Sequence, residues 1–308
     1  MDRRHFLATT AAAGAAAVTS PARTSDASPA RPATRAAPFK LAYAPHFGMF
    51  SNLAGADRLD EIRFAADQGF TAWEHNGMLG ESPEFQDQFA KLMGQLGMQM
   101  GVFVVNPSTA WGAHFVEGKP DSRSQFLDEC RRSVECAKRV NAKWMTVVPG
   151  TLVQHLETGY QTANVVDQLR AAAEIFEPHA LVMVLEPLNP WRDHAGMFLA
   201  KIPQAFEVCR AVNSPACKIL FDMYHQQITE GNLIPNIDLA WSETAYFQIG
   251  DNPGRNEPGT GEINYRNIFR HIHAKGFAGV LGMEHGKSKG GPEGDQALLD
   301  AYRQADDF

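Results

Sequence analysis

The chain has 308 residues, 44% of them hydrophobic and 20% charged. That is the composition of a globule with a sizeable core, and it excludes a disordered chain, a collagen and a disulfide-stapled miniprotein. Lys and Arg number 28 against 35 Asp and Glu; residues 1–38 hold five Arg and two acids, so the remainder carries 23 basic against 33 acidic groups. An acidic body argues against nucleic-acid binding, and no apolar run reaches the ~18 residues a membrane span needs.

The chain opens Met1-Asp2-Arg3-Arg4-His5-Phe6-Leu7, runs through an Ala-rich stretch to Val18, and reaches Ser20-Pro21-Ala22. Paired arginines, a mild apolar core and a small-residue end have the layout of a signal peptide. Arg3-Arg4-x-Phe6-Leu7 resembles the twin-arginine export motif, with Asp2 where Ser or Thr is usual. Residues 1–22 are therefore expected to be a twin-arginine-type signal that sends the protein to the periplasm or otherwise exports it. Residues 23–38, built from Ala, Pro, Ser, Thr and Arg with a single Asp, are expected to be a disordered linker. Residues 39–308 are expected to form one folded domain.

Within that domain short apolar runs read as buried strands at 40–44, 70–74, 99–105, 144–148, 181–186, 217–222, 246–250 and 279–284. Between them lie helical patterns, among them 57–68, 122–139, 161–179, 198–212 and 265–275. Gly69, Gly97 and Gly276 stand where a helix should stop. Eight strand–helix units over some 260 residues predict an α/β fold, a single closed (β/α)8 TIM barrel. An open doubly wound sheet has less support, since no GxGxxG turn follows the first strand. Cys130 and Cys136 share one helical stretch; six residues rise about 9 Å, too far for a disulfide. All four cysteines read as core thiols.

In such barrels the site is built at the C-terminal strand ends. There the chain offers Glu74-His75-Asn76 after strand two, Glu186 after strand five, Asp222 after strand six, Gln248 on strand seven and Glu284 after strand eight. Three converging carboxylates repel one another without a cation. Oxygen donors of this kind suit one hard divalent ion, Mg²⁺ or Mn²⁺. The competing reading is that single acids pair with Arg255 or Lys287.

Asp222-Met-Tyr-His225-Gln226 and the stretch from Gln248 to Tyr265, Gln-Ile-Gly-Asp-Asn-Pro-Gly-Arg-Asn-Glu-Pro-Gly-Thr-Gly-Glu-Ile-Asn-Tyr, resemble the hydroxypyruvate isomerase family of xylose-isomerase-like barrels. The sharp motifs lie in 181–286, and the earlier strands match loosely. The resemblance implies one metal held by Glu186, Asp222, Gln248 and Glu284, at gaps of 36, 26 and 36 residues. It implies that Glu186 and Glu284 move the proton of an enediolate reaction, and that His225 binds a substrate oxygen. Arg255 would hold a substrate carboxylate, or else pair with Glu257 or Glu262. Trp191 and His194 are candidates for a pocket wall.

The expected partner is therefore a small keto acid or sugar, most concretely hydroxypyruvate. A ketose 3-epimerase or other keto-sugar isomerase is the alternative, and a catalytically inactive exported sugar-binding barrel is the alternative of another class. Neither nucleic acid nor a membrane is an expected partner; assembly of identical copies stays open.

Overall fold

The computed structural model describes residues 35–308. The export signal and the linker up to residue 34 lie outside the described residues. Strand and helix alternate: β1 (Ala42–Ala44), α1 (Arg58–Asp67), β2 (Ala72–Trp73), α2 (Pro83–Leu96), β3 (Gln99–Met100), α3 (Pro120–Val140), β4 (Trp144–Val147) and α4 (Thr158–Phe176). Then come β5 (Val182–Leu185), α5 (Ile202–Val212), β6 (Cys217–Asp222), α6 (Met223–Thr229), α7 (Leu233–Ala240), β7 (Thr244–Gln248), α8 (Tyr265–Ala274), β8 (Val280–Gly282) and α9 (Gly291–Ala305).

Every strand pair is parallel; β1-β8-β7-β6-β5-β4 form one sheet and β2 pairs with β3. Single backbone bonds complete the ring. The Glu74 N–H donates to Pro45 O at 2.8 Å, and Val105 and Thr146 donate to Thr146 O and Phe103 O at 2.9 and 2.8 Å. The result is a closed (β/α)8 barrel, not an open sheet. The third strand is shorter than its apolar run, which extends to residue 105. Gly101 still donates to Trp73 O at 2.7 Å, but the next N–H, that of Val102, turns to the buried Tyr246 hydroxyl at 3.4 Å, and a Cβ at Gly101 would lie 2.5 Å from that hydroxyl.

Local chemistry sets the helix ends. Ser82 caps α2 by accepting the Phe85 N–H at 3.2 Å, Pro83 opens the first turn, and Gly97 ends the helix at φ +67°. Gly69, at φ +90°, has the Ala37 carbonyl where a Cβ would stand, so only glycine fits. Phe126, Cys130, Val134 and Ala137 recur at helical spacing on α3 and are buried against the barrel. All four cysteines are free and buried. Inside the ring, Ala44, Ala72, Val184, Leu220, Tyr246 and Val280 fill the space from successive strands. A larger core lies between strands and helices. No helix among the described residues is long and apolar enough to cross a membrane.

Candidate active site

Asp222 ends β6 and caps α6 at once. Its Oδ1 accepts the backbone N–H of Tyr224 at 2.7 Å and of His225 at 3.2 Å, which leaves Oδ2 buried and without a partner. The three-residue step of the first helical turn brings His225 back over the same carboxylate. Its Nε2 lies 3.6 Å from Asp222 Oδ2 and 3.7 Å from Glu186 Oε1. Ligand atoms of Glu186, Asp222, His225 and Glu284 all lie within 4.8 Å of one another. Gln248, the register partner of Asp222 on β7, donates from Nε2 to Glu74 Oε1 at 2.9 Å and keeps a buried, unpartnered Oε1.

The tautomer of His225 follows from its neighbour. Asn189 Oδ1 accepts the N–H groups of Arg192 and Asp193 at 3.0 and 3.3 Å. That turns Nδ2 toward Asp193 Oδ2 at 2.8 Å and His225 Nδ1 at 2.7 Å. Nδ1 therefore accepts, and the proton of the neutral ring is assigned to Nε2, facing the carboxylates. His225 thus faces the cluster with an N–H, 3.6–3.7 Å from two of its oxygens and short of a hydrogen bond, rather than with the lone pair a ligand needs.

The long motif after strand seven wraps around buried Asp251. Its carboxylate accepts the N–H groups of Gly259, Gly261 and Ile263 at 2.9, 2.9 and 3.1 Å. The Gly261 turn passes the Asn252 carbonyl too closely for any Cβ. The loop delivers Arg255, left-handed at φ +51°, onto the cluster. Arg255 Nη2 lies 2.6 Å from Glu284 Oε2 and 3.8 Å from Asp222 Oδ2, and its guanidinium stands 4.8 Å over the Tyr224 ring. The suggested pairing with Glu257 or Glu262 does not form. Glu257 accepts from Ser288, and Glu262 from Gln227 and Asn252. Lys287 is taken by Asp295 at 2.5 Å and His285 by the Tyr302 hydroxyl at 2.8 Å.

A family model described as xylose isomerase-like TIM barrel matches residues 62–305. The chain belongs to the xylose isomerase-like TIM barrel family. It is 30% identical over 184 residues to the hydroxypyruvate isomerase of Escherichia coli, covering 60% of this chain and 70% of that protein. It is 28% identical over 237 residues to the 2-oxo-tetronate isomerase of Pectobacterium atrosepticum, covering 76% and 89%. Among solved structures, the 3-keto-D-glucoside 4-epimerase of E. coli superposes with a TM-score of 0.71 at 19% identity, covering 86% and 98%. At that identity the likeness is one of fold.

For this member of the family, the donor set fits a hard divalent cation. Three carboxylates converge, and Asp222 Oδ2 and Gln248 Oε1 are buried acceptors with no donor, an arrangement that costs free energy unless a cation or proton satisfies it. The carboxyl of Glu186 is pushed well up by burial and then by the charges of Glu284 and Asp222. Glu284 is pushed up to about 7 by burial, with Arg255 pulling the other way; a quarter of its side chain still meets solvent. Burial holds His225 down to about 4, so its ring is neutral at pH 7.

Three residues to which the sequence pattern assigns no role contribute to the site. Asn76 donates to Glu284 Oε1 at 3.0 Å, so Asn76 and Arg255 hold the two oxygens of that carboxylate. Glu74 and Asn189 orient Gln248 and His225. The only signal in the sequence was that Glu74 and Asn76 stand at a strand end, where acids of the other strands cluster. A cavity of 310 Å³ opens on the carboxylates and is walled by Val104, Pro107, Ala110, Trp111, Val148 and Leu188. His194 lines it and stacks on Trp111 at 5.5 Å. Trp191 is 70% exposed and is not part of this wall.

Proposed function

We propose that the protein is a divalent-metal-dependent isomerase that moves a proton between adjacent carbons of a 2-hydroxy ketone. The observation that carries this reading is the convergence of Glu186, Asp222 and Glu284 with the unpartnered Oδ2 of Asp222 and Oε1 of Gln248. The relatives named hydroxypyruvate isomerase and 2-oxo-tetronate isomerase support the reaction class. Glu186, Asp222, Gln248 and Glu284 would hold the ion, and an all-oxygen set of this kind favours Mg²⁺ or Mn²⁺. When bound, the ion polarises the substrate carbonyl and stabilises the negative charge that develops on its oxygen.

The side chains do the rest. One of Glu186 and Glu284 removes the C–H proton next to the carbonyl and one carboxyl returns a proton to the former carbonyl carbon, while the proton of the adjacent hydroxyl passes to the former carbonyl oxygen, so that carbonyl and alcohol exchange places. Asn76 and Arg255 fix Glu284 in place for that transfer. His225 Nε2 and Arg255 Nη2 stand 3.4 Å apart, and both are donors. A substrate oxygen accepting from the two would relieve that contact. The apolar wall of Val148 and Leu188 keeps water from the intermediate.

Hydroxypyruvate, converted to 2-hydroxy-3-oxopropanoate, is the substrate the resemblance implies, with Arg255 meeting its carboxylate. A second reading, an uncharged keto-sugar that is isomerised or epimerised, draws on two observations. Arg255, the one Lys or Arg among the described residues that line the cavity, already pairs with Glu284. The cavity presents Trp111, 58% exposed, as a flat face for a sugar ring. Measuring kcat/KM with Mg²⁺ and Mn²⁺ for hydroxypyruvate and for uncharged ketoses separates the two. Preference for the acid supports the first reading and preference for ketoses the second. No turnover of any of them, with metal bound, points to the sugar-binding barrel. We also propose export by the twin-arginine route; Arg3→Lys with Arg4→Lys should leave precursor in the cytoplasm, and undiminished export would contradict it.

A further inference from the structure

An amide makes a conditional cation ligand. Its two ends are nearly the same shape, but one accepts and the other carries two protons. A carboxylate ligand works in either rotamer; a glutamine turned the wrong way aims N–H bonds at the cation. Something must therefore fix the Gln248 amide, and the barrel interior holds a built device for it.

Glu74, at the end of β2, is 2% exposed. Its Oε1 accepts from Gln248 Nε2 at 2.9 Å and its Oε2 from the Tyr246 hydroxyl at 2.7 Å. Tyr246 and Gln248 are two apart on β7, so their side chains leave the strand on the same face, and one carboxylate from across the ring grips both. The space for this grip has been cleared at two positions. A Cβ at Gly282 on β8 would lie 1.9 Å from Glu74 Oε2, and one at Gly101 would lie 2.5 Å from the Tyr246 hydroxyl. No alanine fits at either place without displacing the network.

We propose that Glu74 is the positioning residue of the metal site: it holds the amino end of Gln248 and thereby presents the carbonyl oxygen to the cation. The inference rests on the metal-dependent reading above. It assigns Glu74 no contact with substrate or ion, since its carboxylate is turned to Gln248 and Tyr246 and is not among the ligand atoms that converge with Glu186, Asp222 and Glu284. Supporting residues behind metal ligands typically change affinity about 10–100-fold when removed.

Mn²⁺ binding, measured by calorimetry on the purified protein, is the readout, with folding followed by circular dichroism. Glu74→Leu should weaken Mn²⁺ binding about 10–100-fold. Glu74→Gln, which loses the charge but keeps an acceptor for Gln248 Nε2, should stay within about threefold of wild type. Adding Glu74→Leu to Gln248→Leu should cost nothing further, because the orienting group then has no amide to orient. Tyr246→Phe, an isostere that frees one Glu74 oxygen, covers the case in which Glu74→Leu does not fold, and it should weaken binding several-fold. Unchanged Mn²⁺ affinity in folded Glu74→Leu, or in Tyr246→Phe if the former does not fold, overturns the inference. So does equal weakening by Glu74→Gln and Glu74→Leu, which would make charge the operative property. Failure of the wild type to bind Mn²⁺ would overturn the metal reading itself, and this inference with it.

Discussion

At the scale of single residues, Glu186 and Glu284 carry the heaviest assignment. Each stands among carboxylates within 4.8 Å, and their surroundings differ: Glu284 is held by Asn76 and Arg255, whereas Glu186 meets the repelling charges of Glu284 and Asp222, with His225 Nε2 3.7 Å from its Oε1. Replacing a general base costs about 10²–10⁴-fold in rate. Glu186→Gln and Glu284→Gln keep an oxygen that can coordinate, so each should retain metal and lose isomerisation by at least that factor. Near-normal turnover in either variant, with metal occupancy confirmed, would reduce its carboxylate to a structural part. Four acid or amide positions could be read from the sequence because one falls in each of the last four strand–helix units. Asn76 and Asn189 could not. Asn76 meets Glu284 from 208 residues away, and only closure of the ring brings the two together.

Among the elements, the loop after β7 shows how a long motif becomes geometry. Its glycines, which read only as a family pattern in sequence, are donors and close-approach points around Asp251. Asp251→Ala would remove the acceptor of three backbone N–H groups, of which that of Ile263 is buried while those of Gly259 and Gly261 can turn to water; at about 1–3 kcal/mol for a buried donor left unpaired the loss should be about 1–3 kcal/mol. It should also release Arg255 from Glu284, lowering kcat beyond what the stability change explains. Asp251→Asn, which keeps one acceptor oxygen, should lose less. Chemical denaturation with parallel kinetics checks both, and wild-type stability in Asp251→Ala would refute this account of the loop. Helix ends were legible because Gly69, Gly97 and Gly276 supply the positive φ the stops require. The shortening of β3 was not, since it goes with Tyr246 reaching across the barrel to take the Val102 N–H.

For the whole molecule, the barrel concentrates buried carboxyl groups whose ionisation opposes folding. Burial pushes Glu284 up to about 7, above its ordinary 4.5, and pushes Glu186 well up with the charges of Glu284 and Asp222 adding to it. Between 4.5 and about 7 the folded state holds protons that the unfolded chain has released, so stability must fall as pH rises through that range. A cation in the cluster takes the place of those protons and should reverse the loss. With chelator present, Tm should drop from pH 5.5 to pH 8, and Mn²⁺ should raise it more at pH 8 than at pH 5.5. A pH-independent Mn²⁺ effect would contradict this. The central claim, that a metal-loaded carboxylate cluster removes a proton beside a carbonyl, is tested most directly by following deuterium uptake from D₂O into a panel of 2-hydroxy ketones. The panel should include hydroxypyruvate and uncharged ketoses. Uptake is expected at the carbon next to the carbonyl with Mg²⁺ or Mn²⁺, abolished by chelator and by Glu186→Gln or Glu284→Gln. No uptake into any member of the panel, or uptake that survives chelation, would contradict that claim.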